Sequence, residues 1–215
     1  MLAELANNKF WWYTARSGGI VAWTLCTASV LWGLALSTRL VRRRGAPAWL
    51  LDLHRFLGLL SVVFTGVHIA ALYVHSKWEF KQQPWGPRQL FILGQSVYKP
   101  GWISWGIVAF YLLVAVQISS WLMKRIRRKL WHTIHLSSFG LFIGATLHGL
   151  GAGTDRHNRL VQWGALVGCS MVLFLVIFRT LAPKKAQIAE ERSKREEAAR
   201  ATGRAPVASP GPSTG

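Results

Sequence analysis

Five stretches of this chain contain no Asp, Glu, Lys or Arg: Ser17 to Thr38, Phe56 to Ser76, Pro100 to Met123, Leu130 to Thr154 and Leu160 to Phe178. Each holds about the twenty residues that a helix rising about 1.5 Å per residue needs to cross roughly 30 Å of hydrocarbon. A helix of a soluble core shows polar residues on one face at every turn, and these stretches do not. The sequence therefore predicts an all-α integral membrane bundle of five transmembrane helices. The formal charge of +18 on 215 residues would by itself suggest a polyanionic partner, but 51% hydrophobic residues and twelve Trp do not make a solvated nucleic-acid-binding surface.

The basic residues orient the bundle. Arg39, Arg42, Arg43 and Arg44 follow the first block, Lys124, Arg125, Arg127, Arg128 and Lys129 follow the third, and a basic tail follows the fifth. Alternating helices put these segments on one side, which the positive-inside rule makes the cytoplasm, with the N-terminus outside and the C-terminus inside. Lys77, Lys81, Arg88 and Lys99 on the other side are spread rather than clustered. The location implied is the cell (plasma) membrane, multi-pass, with lipid as a partner and no nucleic acid.

Residues 1–16 read as an outer interfacial segment with Phe10, Trp11, Trp12 and Tyr13 in an aromatic belt; no basic n-region marks a cleaved signal peptide. Residues 17–181 form the membrane domain, and Gln89 to Tyr98, too short to span, is expected at the interface or folded over the outer surface. Residues 182–215 read as a cytoplasmic tail, charged and helical at Lys184 to Arg200, then disordered. Cys26 and Cys169 stand alone in apolar surroundings and are expected to be small buried hydrophobes.

Of seven His, four fall within or at the edge of two blocks, His54 and His68 in the second and His135 and His148 in the fourth. An ionisable side chain at membrane depth costs free energy and marks a functional site. Both helices run outward from the cytoplasm. His54 and His68 are 14 residues apart and His135 and His148 are 13 apart, so at about 1.5 Å per residue two levels of paired His match to within about 2 Å. Zinc wants its ligands converging on one point, whereas two planar macrocycles, each held by one His from either helix, suit this pattern, as haem iron with two axial imidazoles does. His132 is the rival ligand on the fourth helix, fitting the interval less well; its other role is hydrogen bonding or facing a haem propionate near the inner site. His75 and His157 need no functional explanation. At about 100° per residue, 13 positions fall about 140° short of four turns, so the fourth helix must present its two His from different sides or be locally distorted. Gly140, Gly144, Gly149 and Gly151 would permit that. For anionic propionates, Arg55 beside His54 is the favoured cation; Arg127, Arg128, Arg156 and Arg159 serve as topology signals.

His54-Arg55-Phe56-Leu57-Gly58 followed by His68, and Trp131-His132-Thr133-Ile134-His135-Leu136 followed by His148, resemble the ferric reductase-like transmembrane domain, with His148-Gly149-Leu150-Gly151-Ala152-Gly153-Thr154-Asp155 similar to actinobacterial members. The resemblance covers about Arg16 to Leu181. It implies b-type haem, two by the count of histidines, bound by His54, His68, His135 and His148, with electrons crossing the membrane to an outer acceptor such as ferric iron, a periplasmic partner or dioxygen. Large members of the family carry flavin and nicotinamide domains in the same chain. No GxGxxG follows a strand here, so the expected donor is a separate flavoprotein reductase or a membrane quinol. The chain then reads as a ferric reductase-like oxidoreductase without its own flavin/nicotinamide domain, or as a non-catalytic haem-carrying membrane subunit of a larger complex. A third class is a haem-free transporter using intramembrane His.

Overall fold

The computed structural model describes residues 2–37, 48–79 and 85–201, and within them the chain is helical without a strand. The elements are α1 (Leu2–Ser37), α2 (Ala48–Glu79), the short α3 (Pro87–Phe91), α4 (Pro100–Trp121), α5 (Arg128–Leu136), α6 (Ser138–Ala152), a 3-10 turn at Thr154–His157 and α7 (Arg159–Ala201). Among the described residues, four helices are long and apolar enough to cross a membrane, at Lys9–Ser37, Ala48–Lys77, Pro100–Trp121 and Arg159–Leu181. The clusters Arg39 to Arg44 and residues 205–215 lie outside the described residues.

The first helix begins far ahead of the uncharged block that marked it in sequence. No Gly or Pro interrupts residues 2–17, and Arg16, whose charge ended the block, is paired with Asp155 across the fold. A paired charge no longer forbids an apolar setting, so the span extends back to Lys9. At the other end, α7 runs without a break through the charged Lys184 to Arg200 stretch.

The fourth block does not form the single helix expected of it. It breaks at Ser137, whose amide and hydroxyl both turn back to the Ile134 carbonyl at 3.1 and 2.6 Å, before Leu141 N–H bonds the Ser137 carbonyl at 2.9 Å and starts α6. The composition on either side explains the break. α5 is amphipathic, with Arg128, Lys129, His132 and Thr133 exposed and Trp131, Ile134 and His135 half-buried, whereas α6 is apolar apart from Ser138, Thr146 and His148. At about 1.5 Å per residue the 15 residues of α6 reach about 22 Å, short of a bilayer core.

The bundle is built from two helix pairs. α1 packs along α2 and α4 along α6, with α7 against α1; α2 and α6 do not pack closely on each other. Pro100 opens α4 after Lys99 in the left-handed region (φ 41°), since proline suits a first helical position. Trp23 Nε1 donates to Thr146 Oγ1 (3.0 Å), joining α1 to α6, and Trp32 Nε1 donates to the Leu50 carbonyl (2.9 Å), joining α1 to α2. Thr24, Thr27, Ser61, Thr65 and Thr146 each return their hydroxyl to the carbonyl four residues back, so few hydroxyls seek partners in lipid. The core holds Cys26, Ala109, Leu113 and Leu141 in one cluster and Leu34, Phe142 and Val172 in another; both cysteines are unbridged. Exposed Phe56, Leu59, Val63 and Val67 make an apolar stripe down the outside of α2, as do Leu160, Trp163, Val167, Met171 and Phe174 on α7. Such stripes belong against lipid.

Gly144 sets the α4 to α6 distance, because a methyl group there would lie 3.3 Å from the Trp105 carbonyl and 3.4 Å from the Ala109 methyl. Gly144→Leu is expected to cost about 1–3 kcal/mol by overpacking and to lower the thermal midpoint in detergent. Gly149→Ala, with nothing within 4 Å, should leave the midpoint nearly unchanged.

Candidate functional site

The four histidines singled out by their spacing stand as two facing pairs. His54 of α2 and His135 of α5 have ring centres 6.0 Å apart at 73°, and His68 of α2 and His148 of α6 have centres 6.3 Å apart at 79°. The break at Ser137 meets the phase difficulty of a 13-residue interval, because His135 and His148 are carried by separate helices.

Three of the four rings are held by one device. His54 Nδ1 lies 3.1 Å from the Ser29 carbonyl, with Ser29 Oγ at 3.3 Å; His68 Nδ1 lies 2.6 Å from the Ala15 carbonyl, and His148 Nδ1 lies 3.0 Å from the Trp102 carbonyl. A carbonyl only accepts, so Nδ1 carries the proton in each ring and Nε2 keeps its lone pair. Four residues beyond each carbonyl stands a glycine facing the same ring. A methyl group at Gly33 would lie 3.1 Å from His54 Cε1, at Gly19 2.9 Å from His68 Nδ1, and at Gly106 2.6 Å from His148 Nδ1. A β-carbon at Gly19 or Gly106 would force the imidazole to shift, and one at Gly33 would crowd it.

His135 is the exception. Its ring stacks on Trp131 (5.1 Å, 21°), and its buried Nδ1 has no hydrogen-bond partner. His132, the rival, is exposed and meets the other side of Trp131 at 6.5 Å and 67°. Arg55 is exposed and bonds Asp52 Oδ1 at 3.3 Å. Arg156 and Arg159 are also exposed.

A cavity of about 490 Å³ lies between the helix pairs, with His68 and His148 both in its wall. Its lining includes Arg16 and Asp155, which the histidine pattern gave no reason to single out; Arg16 Nε donates to Asp155 Oδ2 at 2.8 Å and Nη2 to Oδ1. The cradle glycines also escaped the sequence reading, although one signal pointed to them. Gly19 and Gly33 are 14 residues apart, the interval that separates His54 from His68 on the antiparallel neighbour.

Two neutral imidazoles ligating one metal ion at about 2 Å from each nitrogen put their ring centres roughly 6 Å apart. Both pairs meet that spacing, each with at least one Nε2 left free by its Nδ1 hydrogen bond, and the cavity at the second pair is of cofactor size. The residues therefore fit a bis-imidazole haem at the second pair, and the ring spacing fits one at the first. Among the described residues no group of three or more His, Cys, Asp or Glu converges as a zinc centre would. Residues 18–146 match the family model of the ferric reductase like transmembrane component. The chain belongs to that family. No curated protein and no solved structure matches it. The ferric reductase-like match takes in His54, His68 and His135 and stops two residues before His148, whose place in the site is given by the facing ring of His68.

Residues 85–99, which include α3, border the ferric reductase-like domain beside the second pair. Trp85, Gln89 and Tyr98 line the cavity; Lys99 Nζ donates to the Gly151 carbonyl (2.9 Å) and sits over the Tyr98 ring at 5.3 Å, while Tyr98 Oη reaches the Ala152 carbonyl at 3.3 Å. A cation on the last carbonyls of α6 also complements its dipole. Lys99→Ala removes the ammonium and puts a β-carbon residue without that tether at φ 41°. It is expected to open residues 86–98 to limited proteolysis several-fold faster, with Lys99→Gly intermediate because glycine accepts the left-handed backbone.

Proposed function

We propose that the chain carries electrons across the plasma membrane through two b-type haems, one held by His54 and His135 and one by His68 and His148. The observation that carries this reading is the pair of facing imidazoles at each of two levels, 6.0 and 6.3 Å between ring centres. Haem held by these histidines would supply one-electron chemistry, with outer-sphere transfer favoured over ligand activation.

The protein's own residues do the rest. Nδ1 hydrogen bonds to Ser29, Ala15 and Trp102 fix the tautomer and the plane of three rings and raise their basicity toward a metal. α5 and α6 together act as a fifth, broken crossing, with the N-terminus outside and the tail inside, so His54 and His135 form the inner level. The two levels are separated by 14 residues of α2, about 21 Å. Arg55 and His132 stand at the inner edge, available to propionates or to the donor. The basic Lys124 to Lys129 turn and Arg55 make a cationic surface on which an acidic flavoprotein docks, an attraction that weakens with salt. The donor in this reading is a separate flavoprotein or a quinol, and the second reading is a haem-carrying subunit within a larger complex. The outer acceptor is ferric iron, a periplasmic partner or dioxygen.

Purified protein is expected to hold two haems per chain and to give the paired absorption bands of reduced low-spin haem. His54→Ala and His135→Ala should delete one centre, and His68→Ala and His148→Ala the other. Gly106→Val should empty the His148 centre alone, while Gly101→Val, facing open space, changes neither. Near-perpendicular rings leave the iron d orbitals almost degenerate, so both ferric centres should give strongly anisotropic electron-paramagnetic-resonance signals. A haem-free protein, or four variants that all lose the same centre, would sink the reading.

A further inference from the structure

We propose that Arg16, oriented by Asp155 and joined by Gln89, forms a carboxylate-binding edge at the outer mouth of the cavity, and that this edge dictates which way a carboxylate-bearing ring enters it. The proposal rests on the reading of His68 and His148 as a haem site. Apart from those histidines, the described residues lining the cavity include one cation, Arg16, and one anion, Asp155. Arg16 commits only Nε and one hydrogen of Nη2 to Asp155. A guanidinium has five N–H donors in a rigid plane, so three remain for a second anion. Asp155 fixes that plane, and because it follows directly on α6 while Arg16 adjoins Ala15, the ion pair joins the two sides of the site that hold His148 and His68.

Gln89 supplies an independent sign. Carried by α3, it lines the same cavity, and its side-chain oxygen is buried without a hydrogen-bond partner. The two ends of a glutamine amide are interchangeable by a half-turn, so the group can donate to a carboxylate as readily as accept from a carboxylic acid. The far end of the cavity is closed by Cys26, Leu113 and Leu141, members of the apolar core, where a carboxylate would find no donor. Polar at one end and apolar at the other, the cavity admits a ring with two acidic side chains in one sense only. Arg156 and Arg159, the cations nearest His148 in sequence, are absent from its lining.

The test uses the full-length chain in detergent, with His54→Ala as the background that leaves only this centre. Arg16→Gln is expected to shift the midpoint potential of the His68–His148 centre to more negative values, since a cation beside the ring favours the reduced form, and to speed haem loss several-fold. Arg16→Lys should restore most of the potential but little of the retention, because the charge returns without the fork. Gln89→Leu should speed haem loss with a smaller change in potential. Haem dimethyl ester, its carboxylates blocked, should bind the apoprotein at this level no more tightly than haem binds Arg16→Gln. Wild-type potential and retention in both Arg16→Gln and Gln89→Leu would overturn the proposal, as would an ester that binds the wild-type cavity as tightly as haem. Should Arg16→Gln fail to fold, Gln89→Leu and the ester on unmutated protein decide the matter. A wild-type chain without haem overturns the haem reading itself, and that result is distinguishable from a haem-loaded protein indifferent to Arg16.

Discussion

A carbonyl inside a helix already accepts one hydrogen bond and is screened by the side chain four residues on; a neighbouring imidazole reaches its second lone pair only where that side chain is missing. The site depends on this constraint. Ala15 with Gly19, Ser29 with Gly33 and Trp102 with Gly106 each offer a carbonyl beside a bare α-carbon, and His68, His54 and His148 each take one. The hydrogen bond satisfies a nitrogen that lipid cannot, holds the proton on Nδ1, and directs Nε2 at the facing ring's side of the helix gap. Helix packing, ring orientation and ligand chemistry thus rest on the same six backbone positions.

His135 shows what happens where the device is missing. On α4, 14 residues beyond Gly106 stands Ser120, not glycine, and the Nδ1 of His135 has no acceptor. Its ring is steadied instead by Trp131 one turn earlier on the same helix. A local aromatic stack orients a ring without fixing its tautomer, so the His54–His135 level is held less strictly than the His68–His148 level. The helix break belongs to the same compromise. Thirteen residues of regular helix would place His135 and His148 about 140° apart in phase, and the turn at Ser137 frees α5 to aim one ring while α6 aims the other.

Much of this was legible in the sequence because hydrophobic runs and intramembrane histidines carry large free energies. Residues 56–76 and 100–123 had to become helices with apolar sides all round, and four histidines at matched intervals had to be accounted for together. The unread parts are those in which one residue's meaning depends on a distant one. Arg16 read as the end of a block, because nothing near it in sequence reveals Asp155, 139 residues away. Gly19, Gly33 and Gly106 drew no notice in the sequence, since their role belongs to rings on other helices. The fourth block read as one helix because absence of charge records depth in lipid and says nothing of continuity; the evidence of a break lay in the polar face of α5, not in its apolar residues.

The arrangement of helices in two pairs follows from what must fit between them. Membrane helices associate through close packing, and small residues such as Gly144 bring α4 and α6 together. Nothing comparable draws α2 onto α6, and a cavity of about 490 Å³ separates them. The two pairs are joined across it by the Trp23 to Thr146 hydrogen bond and the Arg16 to Asp155 ion pair. With His68 and His148 facing each other in its wall and the Arg16 to Asp155 pair beside them, the cavity sets a few polar groups in a mostly apolar lining, and any molecule bound there would add its binding free energy to the stability of the fold.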